Sequence, residues 1–307
     1  MNSSGKVLIL GASGGIGGEV ARRLVADNWQ VRALKRGAQI RDPEDGIQWI
    51  AGDALDGGQV AAAAAGCDVI VHAVNPPGYR HWRQQVLPML RNTMQAAERQ
   101  RALVVLPGTV YNYGPDAFPL IAEEAAQQPV TRKGAIRAAM ELALKDYVQR
   151  GGRALIVRAG DFFGPRAGNN WFSQGLVKPG QLPRIISYPG AIGVGHQWAW
   201  LPDVAATIAA LLARRRELEP FARYGGRAVV KSFPWWLVKL AAPFNATLRE
   251  MVEMHYLWRL PVRLRNDKLV DFLGAEPHTP LDSAVYQTLQ GLGCLPAGAI
   301  NQEAGEA

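Results

Sequence analysis

Glycines at positions 11, 14 and 17 constrain this chain more than any other feature. They follow the apolar run Lys6–Leu10 and precede a segment in which Ile16, Val20 and Leu24 recur at helical spacing. A strand that turns at once into a helix needs residues without side chains at the bend, because the close approach leaves no room for a Cβ. The same bareness lets main-chain N–H groups at the positive helix end reach a diphosphate. Gly11, Ser13, Gly14, Gly15, Ile16 and Gly17 are therefore expected to hold the pyrophosphate of a dinucleotide.

The second apolar run, Val31–Lys35, predicts the strand whose end lies beside the adenosine ribose. A carboxylate there would accept from the ribose 2′-hydroxyl. This chain carries Lys35 and Arg36 instead. A carboxylate repels a 2′-phosphate, whereas a guanidinium grips one with paired hydrogen bonds. NADP(H) is the expected cofactor, held by Arg36 with Lys35 or Arg32 as a second contact.

Apolar runs Ile47–Ala51, Asp68–Ala73, Ala102–Leu106 and Ala154–Arg158 continue the series, with helical stretches Arg80–Arg101 and Arg132–Arg150 between them. Continuous apolar strands alternating with helices predict an α/β fold: a Rossmann-type doubly wound parallel sheet, followed by a smaller C-terminal substrate-binding cap. Residues 1–165 form the dinucleotide-binding part, with 197–213 returning to it. Residues 166–196 and 214–300 form the cap, and 301–307 a disordered tail. Leu201–Leu212 reads as a helix capped by Asp203, and Asn266 starts a short helix, Asp267–Leu273, that Gly274 ends. Ligands of such sheets lie beyond the carboxyl ends of the strands. That directs attention to Gly52-Asp53-Ala54, Ala73-Val74-Asn75, Pro107-Gly108-Thr109 and Gly160-Asp161-Phe162.

The formal charge is +8, yet the arginines are dispersed, and Arg214-Arg215-Arg216 is followed by Glu217 and Glu219 as on a solvated helix end. An anionic cofactor accounts for this excess better than nucleic acid does. Segment 234–258 is rich in apolar and aromatic side chains, but Lys239, Arg249, Glu250 and Glu253 argue for a cap or interface helix rather than a membrane span. Cys67 and Cys294 are the only cysteines, with neither metal-ligand spacing nor a disulfide framework. Met-Asn-Ser-Ser leads straight into the first strand, without room for a signal peptide, and a reducing cytoplasm is expected.

These residues resemble the short-chain dehydrogenase/reductase superfamily, in its extended or atypical branch, the NAD-dependent epimerase/dehydratase family. The resemblance rests on Gly11-x-x-Gly14-x-x-Gly17, Gly52-Asp53, Thr109-Val110-Tyr111, Arg158-Ala159-Gly160 through Gly164-Pro165, Leu201-Pro202-Asp203-Val204-Ala205 and Phe272-Leu273-Gly274 with Pro277. It implies that Asp53 and Ala54 contact the adenine and that Ala73, Val74 and Asn75 line the ribose and pyrophosphate. Gly108, Ala159, Asp161 and Phe162 are further expected cofactor contacts, with Asp161 close to the nicotinamide. It also implies a homodimer through helices 80–101 and 132–150.

The catalytic part departs from the family. The resemblance implies a Ser or Thr after strand five, then Tyr-x-x-x-Lys on the next helix. Aligning Glu141 with the family's glutamate puts Arg137 at the lysine position, Lys133 at the tyrosine position and Pro107 at the serine position, with Thr109 two residues on. Lys133 and Arg137 share a helix face, and Arg132 and Lys133 sit in the first turn, where the dipole disfavours cations, which suggests that an anion meets them. Arg137 would hold ribose or phosphate, and a desolvated Lys133 would exchange protons; alternatively both are surface cations, with Arg137 paired to Glu141. Lys133 and Tyr113 lead as proton donors, ahead of Tyr111, Asp161 and His196. Asp161 is an acid, an acceptor for the carboxamide, or a turn former. Trp171, Phe172, Tyr188, Trp198 and Trp200, with His81, Trp82 and Arg83, suit a hydrophobic or aromatic substrate or else form cap core. Three functions follow: an NADPH-dependent oxidoreductase acting on a small carbonyl or alcohol, a sugar-nucleotide epimerase or dehydratase, or a catalytically silent NADP(H)-binding sensor.

Overall fold

The computed structural model describes residues 4–37, 45–76, 82–168, 170–186, 188–191, 193–225 and 252–296. Strands β1 (Lys6–Leu10), β2 (Gln30–Lys35), β3 (Ile47–Ala51), β4 (Val69–His72), β5 (Leu103–Thr109), β7 (Arg153–Ala159) and β10 (Phe221–Gly225) form one sheet. Their order is β10-β7-β5-β4-β1-β2-β3, and every pairing is parallel. Val7, Ile9, Val69 and Val71 pack in one layer with helices α1 (Gly15–Ala26) and α5 (Leu201–Ala213). Leu8, Leu10 and Ile70 pack in the opposite layer with α2 (Gly57–Ala63), α3 (Trp82–Gln100) and α4 (Arg132–Gln149). Burial on both faces is why these strands read as unbroken apolar runs.

Leu10 pairs with Leu34 on one side and with His72 on the other. Strand order reverses at β1, so Gly11 leaves the sheet at the switch point, where parallel sheets open a crevice.

A second core lies beyond the carboxyl edge. It contains Tyr113, Ile121, Phe163, Phe172, Tyr188, Trp198, Leu257, Trp258 and Leu264, with Trp171 and Trp200 packed against it. Two small sheets frame it: β6 (Leu120–Ile121) with β11 (Arg263–Leu264), and β8 (Asp161–Phe163) with β9 (Trp198–Trp200). Helices α6 (Asp267–Leu273) and α7 (Leu281–Gly291) complete the described part. The aromatic cluster seen in the sequence is thus mostly cap core.

Three expectations need correction. Residues 214–300 are not all cap, because β10 extends the main sheet beside β7. As an edge strand with Arg223 at its centre it shows no continuous apolar run. Nor is the part before 165 wholly dinucleotide-binding, since Val110, Tyr113 and Ile121 belong to the cap core. Asp203 does not cap α5, whose N-cap is Trp200; its carboxylate instead accepts from the Thr279 amide (2.7 Å) and hydroxyl (2.8 Å). The short helix at Asp267–Leu273 forms as expected, closed by Gly274 at φ 84°. His81, the tail 301–307 and most of segment 234–258 lie outside the described residues; the end of that segment, Met254–Trp258, is a 3-10 turn. Among the described residues no helix is long and apolar enough to cross a membrane.

Candidate active site

A cleft of about 600 Å³ opens at the switch point. Its wall contains Gly11, Ser13, Gly14, Gly15, Ile16, Lys35, Arg36, Asp53, Ala54, Ala73, Val74, Asn75 and Phe162, all expected from the sequence. Gly11 has φ 93°, and a Cβ there would lie 2.6 Å from the Ala73 carbonyl oxygen. A Cβ on Gly17 would lie 2.3 Å from the Gly11 carbonyl oxygen, so only glycine lets α1 seat against the turn. Gly17 therefore shapes the cradle without lining it. Gly14 caps α1 with no side-chain bond, and the first turn has no acidic residue. The helix end thus keeps main-chain donors and a positive field for an anion. A bare cradle, a helix N-terminus and a cationic far wall fit a dinucleotide.

At that far wall Arg36 is exposed and Lys35 lies 5.6 Å from the centre of the Trp49 ring. Arg32 is not available as a second contact. Its guanidinium donates to the Ala63 carbonyl (3.2 Å), the Ala65 carbonyl (2.7 Å) and Gln48 Oε1 (3.0 Å), which fastens it at the end of α2. The Asp53 carboxylate accepts from the Leu55 amide at 3.0 Å, forming the turn after β3.

The wall also contains Gln85 and Met89 from α3, and Ala167, Asn170 and Leu201. The helical spacing of Gln85 and Met89 was available in the sequence. The loop residues carried no such signal, since Ala167 and Asn170 depend on a tertiary fastening. Arg166 donates to both oxygens of the buried Glu19 on α1, at 2.9 and 2.7 Å.

Gly108, Ala159, Lys133, Arg137 and Asp161 do not line the cleft. Gly108 lies inside β5, where a Cβ would meet Ile156 at 2.9 Å, and Ala159 is core. Arg137 reaches the rim through Asn75, to whose Oδ1 it donates at 3.2 Å. It does not pair with Glu141. That carboxylate takes both Nη atoms of Arg158 (2.8 and 2.7 Å) in a fully buried bidentate pair. Burial works against the Arg158 charge, but Glu141 more than compensates and holds the guanidinium above its ordinary value. Thr109 is half-buried and serves as a cap, accepting from the Tyr111 amide at 3.2 Å.

Tyr113 is corrected as a proton donor. Its ring is fully buried in the cap core, 5.0 Å beneath the Arg158 guanidinium, and burial pushes its phenol up. Arg132, one of the three cations at the start of α4, finds its anion within the chain, donating to Glu253 at 2.8 Å. Lys133 is buried in the first turn of α4, beside Gly134, whose missing Cβ lets the Tyr111 carbonyl approach.

The placement of His72, Asp161 and His196 was barely legible in the sequence. His72 ends β4 with Nδ1 2.7 Å from Thr93 Oγ1. Thr93 itself donates to the Met89 carbonyl at 3.0 Å, so His72 carries its proton on Nδ1. Burial first, and the Arg137 charge second, lower its pKa to about 3. Asp161 is buried and doubly engaged: Tyr111 Oη donates to Oδ1 at 2.6 Å, and His196 Nε2 meets Oδ2 at 2.8 Å. His196 Nδ1 lies 3.1 Å from the Leu257 carbonyl, and its ring stacks on Trp258 at 3.5 Å.

Residues 11–161 match the family model described as NAD(P)H-binding. That part of the chain folds as a Rossmann-type parallel sheet and is similar to NAD(P)H-binding domains. The chain's fold is shared with solved epimerases and dehydratases. A proposed epimerase from Burkholderia cenocepacia J2315 superposes with a TM-score of 0.71 at 18% identity, over 96% of this chain and 100% of that one. The dTDP-glucose 4,6-dehydratase DesIV from Streptomyces venezuelae, solved with NAD, gives 0.69 at 18% identity, covering 93% and 96%. A UDP-galactose 4-epimerase gives 0.66 at 19%, covering 94% and 98%. No curated protein matches the sequence.

Proposed function

We propose that the protein is an NADPH-dependent oxidoreductase acting on the carbonyl or alcohol of a small, hydrophobic or aromatic substrate. The observation that carries the reading is the exposed Arg36 in the cleft wall where β2 ends, with Lys35 beside it and no carboxylate on that stretch. Arg36 would grip the 2′-phosphate, Asp53 and Ala54 would border the adenine, and the Gly11–Gly17 turn would carry the pyrophosphate. Arg137 would act at the cleft rim through Asn75. When bound, the nicotinamide supplies or accepts hydride at its C4. The chain's part is to orient it, to exclude water with the loop that Arg166 fastens to α1, and to move one proton at the substrate oxygen. A homodimer through α3 and α4 belongs to the same reading.

Epimerisation or dehydration of a sugar nucleotide is the second reading, favoured by the folds of DesIV and the epimerases. The basic end of β2 and the absent Tyr-x-x-x-Lys speak against it. Cofactor oxidation across a panel of aldehydes and ketones, with both NADPH and NADH, separates the two. Arg36→Ala should weaken NADPH binding by roughly 10- to 100-fold, as expected for a charge-assisted contact of about 1.5–3 kcal/mol, and leave NADH binding unchanged. A wild-type preference for NADH would end the reading, and binding without turnover would leave a sensor.

A further inference from the structure

Neither Tyr113 nor a Tyr-x-x-x-Lys pair can supply the proton that carbonyl reduction needs. We propose that Tyr111 is the acid–base residue of the reaction inferred above, with Asp161 and His196 as positioning residues behind it. The proposal rests on the oxidoreductase reading.

Three observations carry it. The first is placement. Tyr111 follows the carboxyl end of β5, and its carbonyl packs against Gly134 in the first turn of α4, where a Cβ would come within 2.2 Å. Its hydroxyl bonds Asp161, whose neighbour Phe162 belongs to the cleft wall. Successive strand residues face opposite sides, so Phe162 looks into the cleft while Asp161 turns towards the cap. The phenol oxygen is thus bonded to the residue next to the cleft wall, on the side that faces the cap. The second is exposure. Tyr111 is half-buried, as a residue that meets a substrate must be, whereas Tyr113 is sealed in the core.

The third is the chemistry of the hydrogen-bond chain. The Leu257 carbonyl can only accept, so His196 Nδ1 donates to it. One further proton is then shared between His196 Nε2 and Asp161 Oδ2, and the remaining oxygen takes the Tyr111 hydroxyl. Both ends of the chain are tied down, one by the Trp258 stack and the other by the α4 contact. A buried pair of this kind is a weak stabiliser but a strong fixer of geometry.

In the reducing direction the reduced nicotinamide is the hydride source. The C4–H bond of the bound nicotinamide would break, its electron pair becoming the substrate's new C–H bond and leaving the nicotinamide oxidised, while the carbonyl π pair moves onto oxygen. Tyr111 Oη passes its proton to that oxygen, breaking its own O–H bond, and the phenolate recovers a proton from solvent. In the oxidising direction the same atoms run backwards.

The test uses the full-length protein as wild type, Tyr111→Phe and Asp161→Asn. Melting and NADPH-induced fluorescence establish that each variant folds and binds. Tyr111→Phe should lower kcat roughly 100-fold or more, as loss of a general acid does, with KM and NADPH affinity within about twofold. Its residual rate should lose the solvent deuterium isotope effect of the wild type. In the cofactor-free protein the proton shared by Asp161 and His196 should give a far-downfield, exchange-protected NMR signal that survives Tyr111→Phe and disappears in Asp161→Asn. Tyr111→Phe retaining kcat within about threefold, or with an unchanged isotope effect, would overturn the proposal while leaving the oxidoreductase reading intact. A downfield signal that persists in Asp161→Asn would overturn the network. Wild-type protein that binds NADPH but reduces no carbonyl would sink the reading and this proposal together.

Discussion

Replacing Glu141 with Gln tests the buried ion pair that joins α4 to β7. Arg158 and Glu141 are 4% and 5% exposed, and the guanidinium meets both carboxylate oxygens. Asn112 Nδ2 (2.9 Å) and Gln127 Nε2 also donate to Glu141, so every group facing it is a donor. The side-chain amide of the variant would turn an NH2 towards one of them and leave the Arg158 charge without a counterion. Breaking a buried pair from one side costs about 3–5 kcal/mol, a large share of the roughly 5–15 kcal/mol that holds a typical domain folded. At about 2–4 °C per kcal/mol for a chain of this size, the melting temperature should fall by about 6–20 °C. Glu217→Gln, in the exposed pair with Arg214, should leave melting unchanged. Replacing Glu141 and Arg158 together with Met should recover stability relative to Glu141→Gln, because no uncompensated charge remains. Denaturant unfolding followed by tryptophan fluorescence measures all four proteins. A loss below about 1 kcal/mol in Glu141→Gln would refute the reasoning.

Further outcomes concern the cleft and its supports. His72 stays neutral in the folded chain down to about pH 3, while unfolded His takes up its proton near pH 6.5. The unfolded state thus binds more protons between these values, so stability should fall as pH drops below about 6.5, by about 1.4 kcal/mol per unit from this group. His72→Gln should unfold with a correspondingly shallower pH dependence, and identical slopes would show that His72 protonates without unfolding. Gly17→Ala places a Cβ 2.3 Å from the Gly11 carbonyl oxygen and should abolish measurable dinucleotide binding by calorimetry. Arg166→Ala frees the loop bearing Ala167 and Asn170 and should speed cofactor release in stopped-flow; an unchanged off-rate would show that the Glu19 fastening is incidental.

What the sequence determined by itself was local. A strand buried on both faces must be apolar throughout, so β1 and β4 were legible to within a residue at either end, and a tight strand-to-helix bend must lack side chains, so Gly11, Gly14 and Gly17 marked the cleft. Arg36 was legible because its place at a strand end follows from the same rhythm. Strand β10 was not, since Arg223 breaks its short apolar run. The side chains of the proposed acid–base network were equally hidden. Tyr111 and Tyr113 differ in sequence by two positions, yet packing seals one beneath Arg158 and turns the other onto Asp161. Glu141 chose Arg158 over Arg137 across 17 residues, and His196 found Asp161 across 35. Such partners are selected by which charged groups the folded chain buries together, because only an excluded-water interior makes an unpaired polar group costly enough to decide the matter.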